Sequence, residues 1–181
     1  MNVLISGGCK NGKTGFAQDI ALHLSRGGKR YYVATMIPYD GEDRARIENH
    51  IADRAGMGFG TLEVSRNISS CLSLAEENGT FLVDSITALL LNELFPDTHS
   101  ADADFSGVKR CRKGLLEVAE RAENAVFVTD YIYSDAIRYD PFTEKYRAAL
   151  ASLDRALAEV CDTVIELCAG NVIFHKGGFS E

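Results

Sequence analysis

The sequence predicts an α/β domain of the phosphate-loop NTPase class, with a mostly parallel sheet, helices on both faces and a hairpin at its C-terminal edge. Two observations carry that expectation. Short apolar, β-rich runs alternate with amphipathic stretches of helical period, the pattern of strands joined by crossover helices. Between the first such run and the first helix stands Gly7-Gly8-Cys9-Lys10-Asn11-Gly12-Lys13-Thr14, which places Gly, four residues, Gly, Lys and Thr in phosphate-loop order.

The setting of that loop matters as much as its pattern. Val3-Leu4-Ile5 reads as a strand leading in, and Lys13 to Ser25 as a helix leading out, with Phe16, Ile20 and Leu24 on one face. A helix N-terminus aims unpaired backbone N–H groups at an anion, and glycines let the chain curl around a phosphate without a Cβ in the way. Lys13 is placed to reach β- and γ-phosphates, and the Thr14 hydroxyl to hold Mg²⁺.

The elements then follow in order. Arg26-Gly27-Gly28-Lys29 ends the first helix, and Arg30 to Thr35 is the second strand. Asp40 is placed to cap a second helix, with Glu42 and Asp43 in its first turn and Gly56 and Gly58 as its stop. On it Ile47, Ile51 and Ala55 form an apolar ridge expected to be buried. Arg46, His50 and Arg54 form the next ridge, an imidazole between two guanidinium groups. Gly60 to Val64 reads as a strand, Ile68 to Glu77 as a helix, and Thr80 to Val83 as a buried strand ending in Asp84. Ile86 to Phe95 is an interior helix, Pro96 to Asp104 a polar loop suited to disorder, and Phe105 to Ala122 a helix. Ala125 to Val128 is a strand ending at Thr129-Asp130, and Tyr131 to Pro141 an irregular connection. Thr143 to Cys161 is a long helix; Thr163 to Leu167 and Asn171 to Phe174 are the closing hairpin.

Composition bounds the rest. The 181 residues suit one domain over 1–181, and 46% hydrophobic residues are enough for a core. A net charge of −7 without a basic run argues against nucleic acid as a partner. No apolar run approaches the roughly 20 residues of a membrane span, and because the chain enters a strand at once no signal peptide is expected. Five scattered cysteines, Cys9 among them, fit reduced thiols in a cytoplasm rather than a disulfide frame or zinc site.

Ligands of such sheets sit beyond the carboxyl ends of the strands, where the loop, Thr35, Asp84 and Thr129-Asp130 all fall. Asp84 is the candidate second carboxylate for Mg²⁺; its competing job is to cap the next helix. Thr129-Asp130 is a weaker candidate for sensing the nucleotide. The arginines around His50 favour a neutral imidazole, which can be a nucleophile, and they can hold phosphate oxygens. His23, His99 and His175 read as surface or structural residues, and Tyr131, Tyr133 and Tyr139 as packing.

Four stretches, in order and at their spacings, resemble one family. They are the loop itself, Tyr32-Val33-Ala34-Thr35, Arg46-Ile47-x-x-His50-x-x-x-Arg54, and Leu82-Val83-Asp84-Ser85-Ile86-Thr87. Residues 2 to 95 look like the bifunctional adenosylcobinamide kinase/adenosylcobinamide-phosphate guanylyltransferases of cobalamin nucleotide-loop assembly. The Arg-Ile-x-x-His-x-x-x-Arg helix is the specific part. The resemblance implies that ATP or GTP phosphorylates the aminopropanol hydroxyl of adenosylcobinamide, a corrinoid. It further implies that His50 takes GMP from GTP and passes it to the new phosphate, and that the protein is a homotrimer. Many members carry Thr-Asn-Glu-Val-Gly where this chain has Thr129-Asp130-Tyr131-Ile132-Tyr133. The residues alone leave two other functions open: a small-alcohol kinase without guanylyl transfer, and a non-enzymatic nucleotide-binding regulator.

Overall fold

The computed structural model describes residues 1–96, 102–133 and 135–179, without the side chains of residues 42, 44, 46, 49, 50 and 53. Seven strands form one sheet: β1 (Asn2–Gly7), β2 (Arg30–Ala34), β3 (Phe59–Glu63), β4 (Thr80–Asp84), β5 (Asn124–Asp130), β6 (Thr163–Cys168) and β7 (Asn171–Lys176). Their order is β3-β2-β4-β5-β1-β6-β7. Every neighbouring pair is parallel except β6 with β7, which close the sheet as an antiparallel hairpin. The helices are α1 (Lys13–Ser25), α2 (Gly41–Asp53), α3 (Ile86–Leu94), α4 (Gly107–Arg121) and α5 (Pro141–Val160). The expected phosphate-loop α/β architecture is thus what the chain adopts.

Strand alternation divides the interior in two, because successive side chains of a strand point to opposite faces. Val3 and Ile5 pack with Ala17, Ile20 and Ala21 of α1, while Leu4 between them joins the opposite core. That larger core gathers Leu89 and Leu90 of α3, Leu115 and Val118 of α4, and Leu150, Leu153 and Leu157 of α5. Helices therefore cover both faces of the sheet.

Three expectations change. Ile68 to Glu77 is not an α-helix but a 3₁₀ turn over Ile68–Ser73. It starts from Asn67 at φ 47° and buries Ile68, Cys71 and Leu72, enough apolar surface for one turn and no more. The Ile47-Ile51-Ala55 ridge of α2 is not buried: Ile51 is 51% exposed and Ala55 exposed. Ile47 is half-buried because it lines a cavity instead of meeting the sheet. α5 begins earlier than expected, since Asp140 accepts hydrogen bonds from the Phe142 and Thr143 amides and Pro141 opens the first turn. Much of the expected disordered loop, residues 97–101 with His99, lies outside the described residues.

Candidate active site

The site grows from the carboxyl end of β1. Gly7 admits no side chain, since a Cβ there would stand 2.5 Å from Asn11 Nδ2 and 2.7 Å from the Leu167 carbonyl oxygen. Gly12 caps α1 at φ 88°, a left-handed conformation suited to glycine, and no side chain caps the first turn. The first-turn N–H groups are thus left for an anion. Asn11 Nδ2 donates to the Leu167 carbonyl (2.6 Å), which ties the loop to β6. Gly8 is half-buried, while Cys9 and Lys10 are exposed at the loop's tip, Lys10 at φ 57°.

Lys13 is almost wholly buried, yet its ammonium is fully partnered. Nζ donates to the Gly8 carbonyl (2.5 Å) and lies 2.7 Å from Asp130 Oδ1 at the end of β5. Residue 14 meets residue 84 across the sheet: Thr14 Oγ1 donates to Asp84 Oδ2 (2.9 Å), and Tyr32 OH donates to the same oxygen (2.7 Å). The competing job for Asp84 is taken by Ser85, whose Oγ accepts from the Ala88 amide and caps α3. Asp84 therefore keeps its carboxylate for the site.

Thr35 turns its hydroxyl to the backbone of the neighbouring strand's end. It is fully buried, and its hydroxyl donates to the Ser85 carbonyl (2.8 Å) and accepts from the Ser85 amide (2.7 Å). Its work is to fix the end of β4, including the cis peptide between Asp84 and Ser85. Arg54 is the C-cap of α2 and is buried. Its guanidinium stacks 4.1 Å above the Tyr32 ring and donates to Thr61 Oγ1 (3.1 Å). The side chains of Arg46 and His50 lie outside the described residues; the backbone of both is in α2.

A cavity of about 800 Å³ opens beside Asp84 and Asp130. Ile37, Ile47 and Leu91 supply apolar wall, and Glu48 and Arg54 polar wall, so α2 borders it. The volume is that of a small-molecule site. Asp130 as the partner of Lys13, Tyr32 on Asp84, and Tyr146 at the cavity were not singled out from sequence. The sequence offers Asp130, with Thr129, only as a weaker candidate for sensing the nucleotide, from its position at a strand's carboxyl end. Thr129, by contrast, is fully buried, does not line the cavity and donates to Asp154 Oδ2 (3.3 Å).

The Thr14–Asp84 pair fits Mg²⁺: a hydroxyl and a carboxylate oxygen lie side by side where the phosphates of a loop-bound nucleotide would add further oxygens. Among the described residues no group of three or more His, Cys, Asp or Glu side chains could hold a metal by itself. A cation here would depend on substrate oxygens, as Mg²⁺ in phosphoryl-transfer sites does.

Fold and site together define a phosphate-loop nucleotide-binding enzyme. The solved structures it resembles agree on the fold. One is an ATPase domain (TM-score 0.55, 12% identity, 97% of this chain and 76% of that one). Another is PH0250 from Pyrococcus horikoshii OT3 (0.51, 12%, 97% and 86%). A type III secretion system ATPase of pathogenic bacteria is similar too (0.53, 13%, 93% and 51%). No curated protein sequence gives a significant match. The cobinamide kinase/cobinamide phosphate guanyltransferase family model matches residues 3–174, and the chain belongs to that family of bifunctional enzymes.

Proposed function

We propose that the protein phosphorylates the aminopropanol hydroxyl of adenosylcobinamide with a nucleoside triphosphate and then transfers GMP from GTP to the new phosphate through His50. The observation that carries the proposal is the pairing of Lys13 with Asp130 and of Thr14 with Asp84, two carboxylates that line one cavity with α2 along its wall. Gly7, Gly8, Cys9, Lys10, Asn11 and Gly12 would wrap the phosphates with their backbone, and Lys13 would neutralise charge on the β- and γ-phosphates. Thr14 and Asp84 would hold Mg²⁺, which would supply charge neutralisation to the phosphates. The acceptor arm would occupy the cavity, and a homotrimer is the expected assembly.

The guanylyl step asks for an unprotonated nitrogen on His50. That nitrogen attacks the α-phosphorus of GTP, a P–N bond forms, the bond to pyrophosphate breaks, and GMP stays on the ring. Arg46 and Arg54 favour the neutral imidazole by like-charge repulsion. GTP labelled at the α-phosphate should leave label on the protein, release pyrophosphate in equal amount, and lose the label in acid but not in alkali. His50→Ala should abolish labelling while phosphorylation of cobinamide remains measurable. Labelling that persists in that variant would place the nucleophile elsewhere. A wild-type protein that phosphorylates but never labels would leave the kinase alone.

A further inference from the structure

We propose that Asp130 is the group that accepts the proton of the acceptor hydroxyl in phosphoryl transfer, and that the incoming triphosphate frees it by drawing Lys13 away. The proposal rests on the kinase function above.

Asp130 stands between the two halves of the reaction. One carboxylate oxygen lies 2.7 Å from Lys13 Nζ, on the phosphate side. The same residue lines the cavity, on the acceptor side, with a side chain 27% exposed and so within reach of a substrate. Lys13 does not line that cavity. Asp84, the other carboxylate at this boundary, already accepts from Thr14 and Tyr32 and is placed on the Mg²⁺ side. Glu48 and Glu63 also line the cavity, but from α2 and the end of β3, which is separated from β1 by β2, β4 and β5.

The backbone holds Asp130 firmly. It is in register with Gly7 in the parallel β1–β5 pair, and its amide donates to Thr87 Oγ1 (3.1 Å). The next amide, of Tyr131, donates to the Gly7 carbonyl (3.4 Å). The carboxylate at the end of β5 is therefore fixed toward the site from the strand itself.

The step balances without another reactant. The acceptor oxygen attacks the γ-phosphorus and an O–P bond forms. The bond from that phosphorus to the β,γ-bridging oxygen breaks, the nucleoside diphosphate leaves, and the hydroxyl proton passes to Asp130. While the site is empty the carboxylate neutralises Lys13; once phosphates take that ammonium, the carboxylate is released toward the hydroxyl.

The test uses the whole protein with ATP, Mg²⁺ and adenosylcobinamide, comparing wild type with Asp130→Asn. The variant should lose about a hundredfold in kcat for phosphorylation. Its Kd for ATP should stay the same or tighten, because Lys13 no longer has a competing anion. An undiminished kcat in Asp130→Asn overturns the proposal, as does a loss that appears wholly as weaker ATP binding. If the wild type itself transfers no phosphate to the cobinamide hydroxyl, the kinase function fails and this role fails with it.

Discussion

Asp154, on α5 behind the end of β5, is a buried carboxylate with one oxygen satisfied and one not. Tyr133 OH (2.7 Å) and Thr129 Oγ1 (3.3 Å) both donate to Oδ2, and Oδ1 has no partner among the described residues. Burial pushes its pKa up from 3.8 to about 6, against the lowering effect of the two hydroxyls. The folded protein thus holds this proton more tightly than the unfolded chain. The stability it contributes is fully present below pH 3.8 and is lost as pH rises through about 6. A shift of that size corresponds to roughly 3 kcal/mol at neutral pH. Asp154→Asn removes the titration, so urea unfolding should find the variant more stable than wild type at pH 8, with the gap closing at pH 4.5. A gap independent of pH would mean that Asp154 is not the titrating group. Lys13 makes the opposite kind of prediction, about chemistry with the fold intact. Lys13→Ala should lower nucleotide turnover by at least about a hundredfold, with unchanged circular dichroism. Wild-type turnover in that variant would remove the phosphate-loop assignment.

Among the elements, α4 meets the 3₁₀ turn at Gly114. A Cβ there would come within 2.7 Å of Ile68 Cγ2, and Ile68 is itself only 1% exposed. Alanine gains roughly 1 kcal/mol of helix propensity over glycine, whereas overpacking costs about 1–3 kcal/mol. Gly114→Ala should therefore be destabilising by about 1 kcal/mol, read as a lower urea midpoint at unchanged slope. A higher midpoint would show that the turn gives way. The same region marks where sequence falls short. α1 was legible residue by residue because its period, its loop and its glycine stop agree. The Ile68 turn has helical spacing for one turn only, and spacing cannot say how far a helix continues. The apolar ridge of α2 misled for a related reason: a period shows that residues share a face, but not what that face meets. Asp140-Pro141 is a helix-start signal two residues before the expected start at Thr143, a cap residue followed by a proline in the first turn.

At the scale of the molecule, strand order is what joins the site. Lys13 and Thr14 were readable because they are contiguous with their motif, and Asp84 because it ends an apolar run. The pairing of Lys13 with Asp130 was not readable, since it depends on β5 lying beside β1, and nothing local states which strands become neighbours. Thr35 shows the converse: its place at a strand's end was right, but strand β4 beside it turned its hydroxyl to the Asp84–Ser85 backbone. Strand β1 lies between β5 and β6, and the phosphate loop is sutured to both, through Lys13 to Asp130 on one side and through Asn11 to Leu167 on the other. Such a loop gives up most of its conformational entropy when the chain folds; the nucleotide has only to take the Lys13 ammonium from Asp130, while the Asn11–Leu167 tether holds the loop in place. Nucleotide capture then becomes an encounter with a preformed cradle, its speed set by diffusion and charge rather than by waiting for the loop to find its shape.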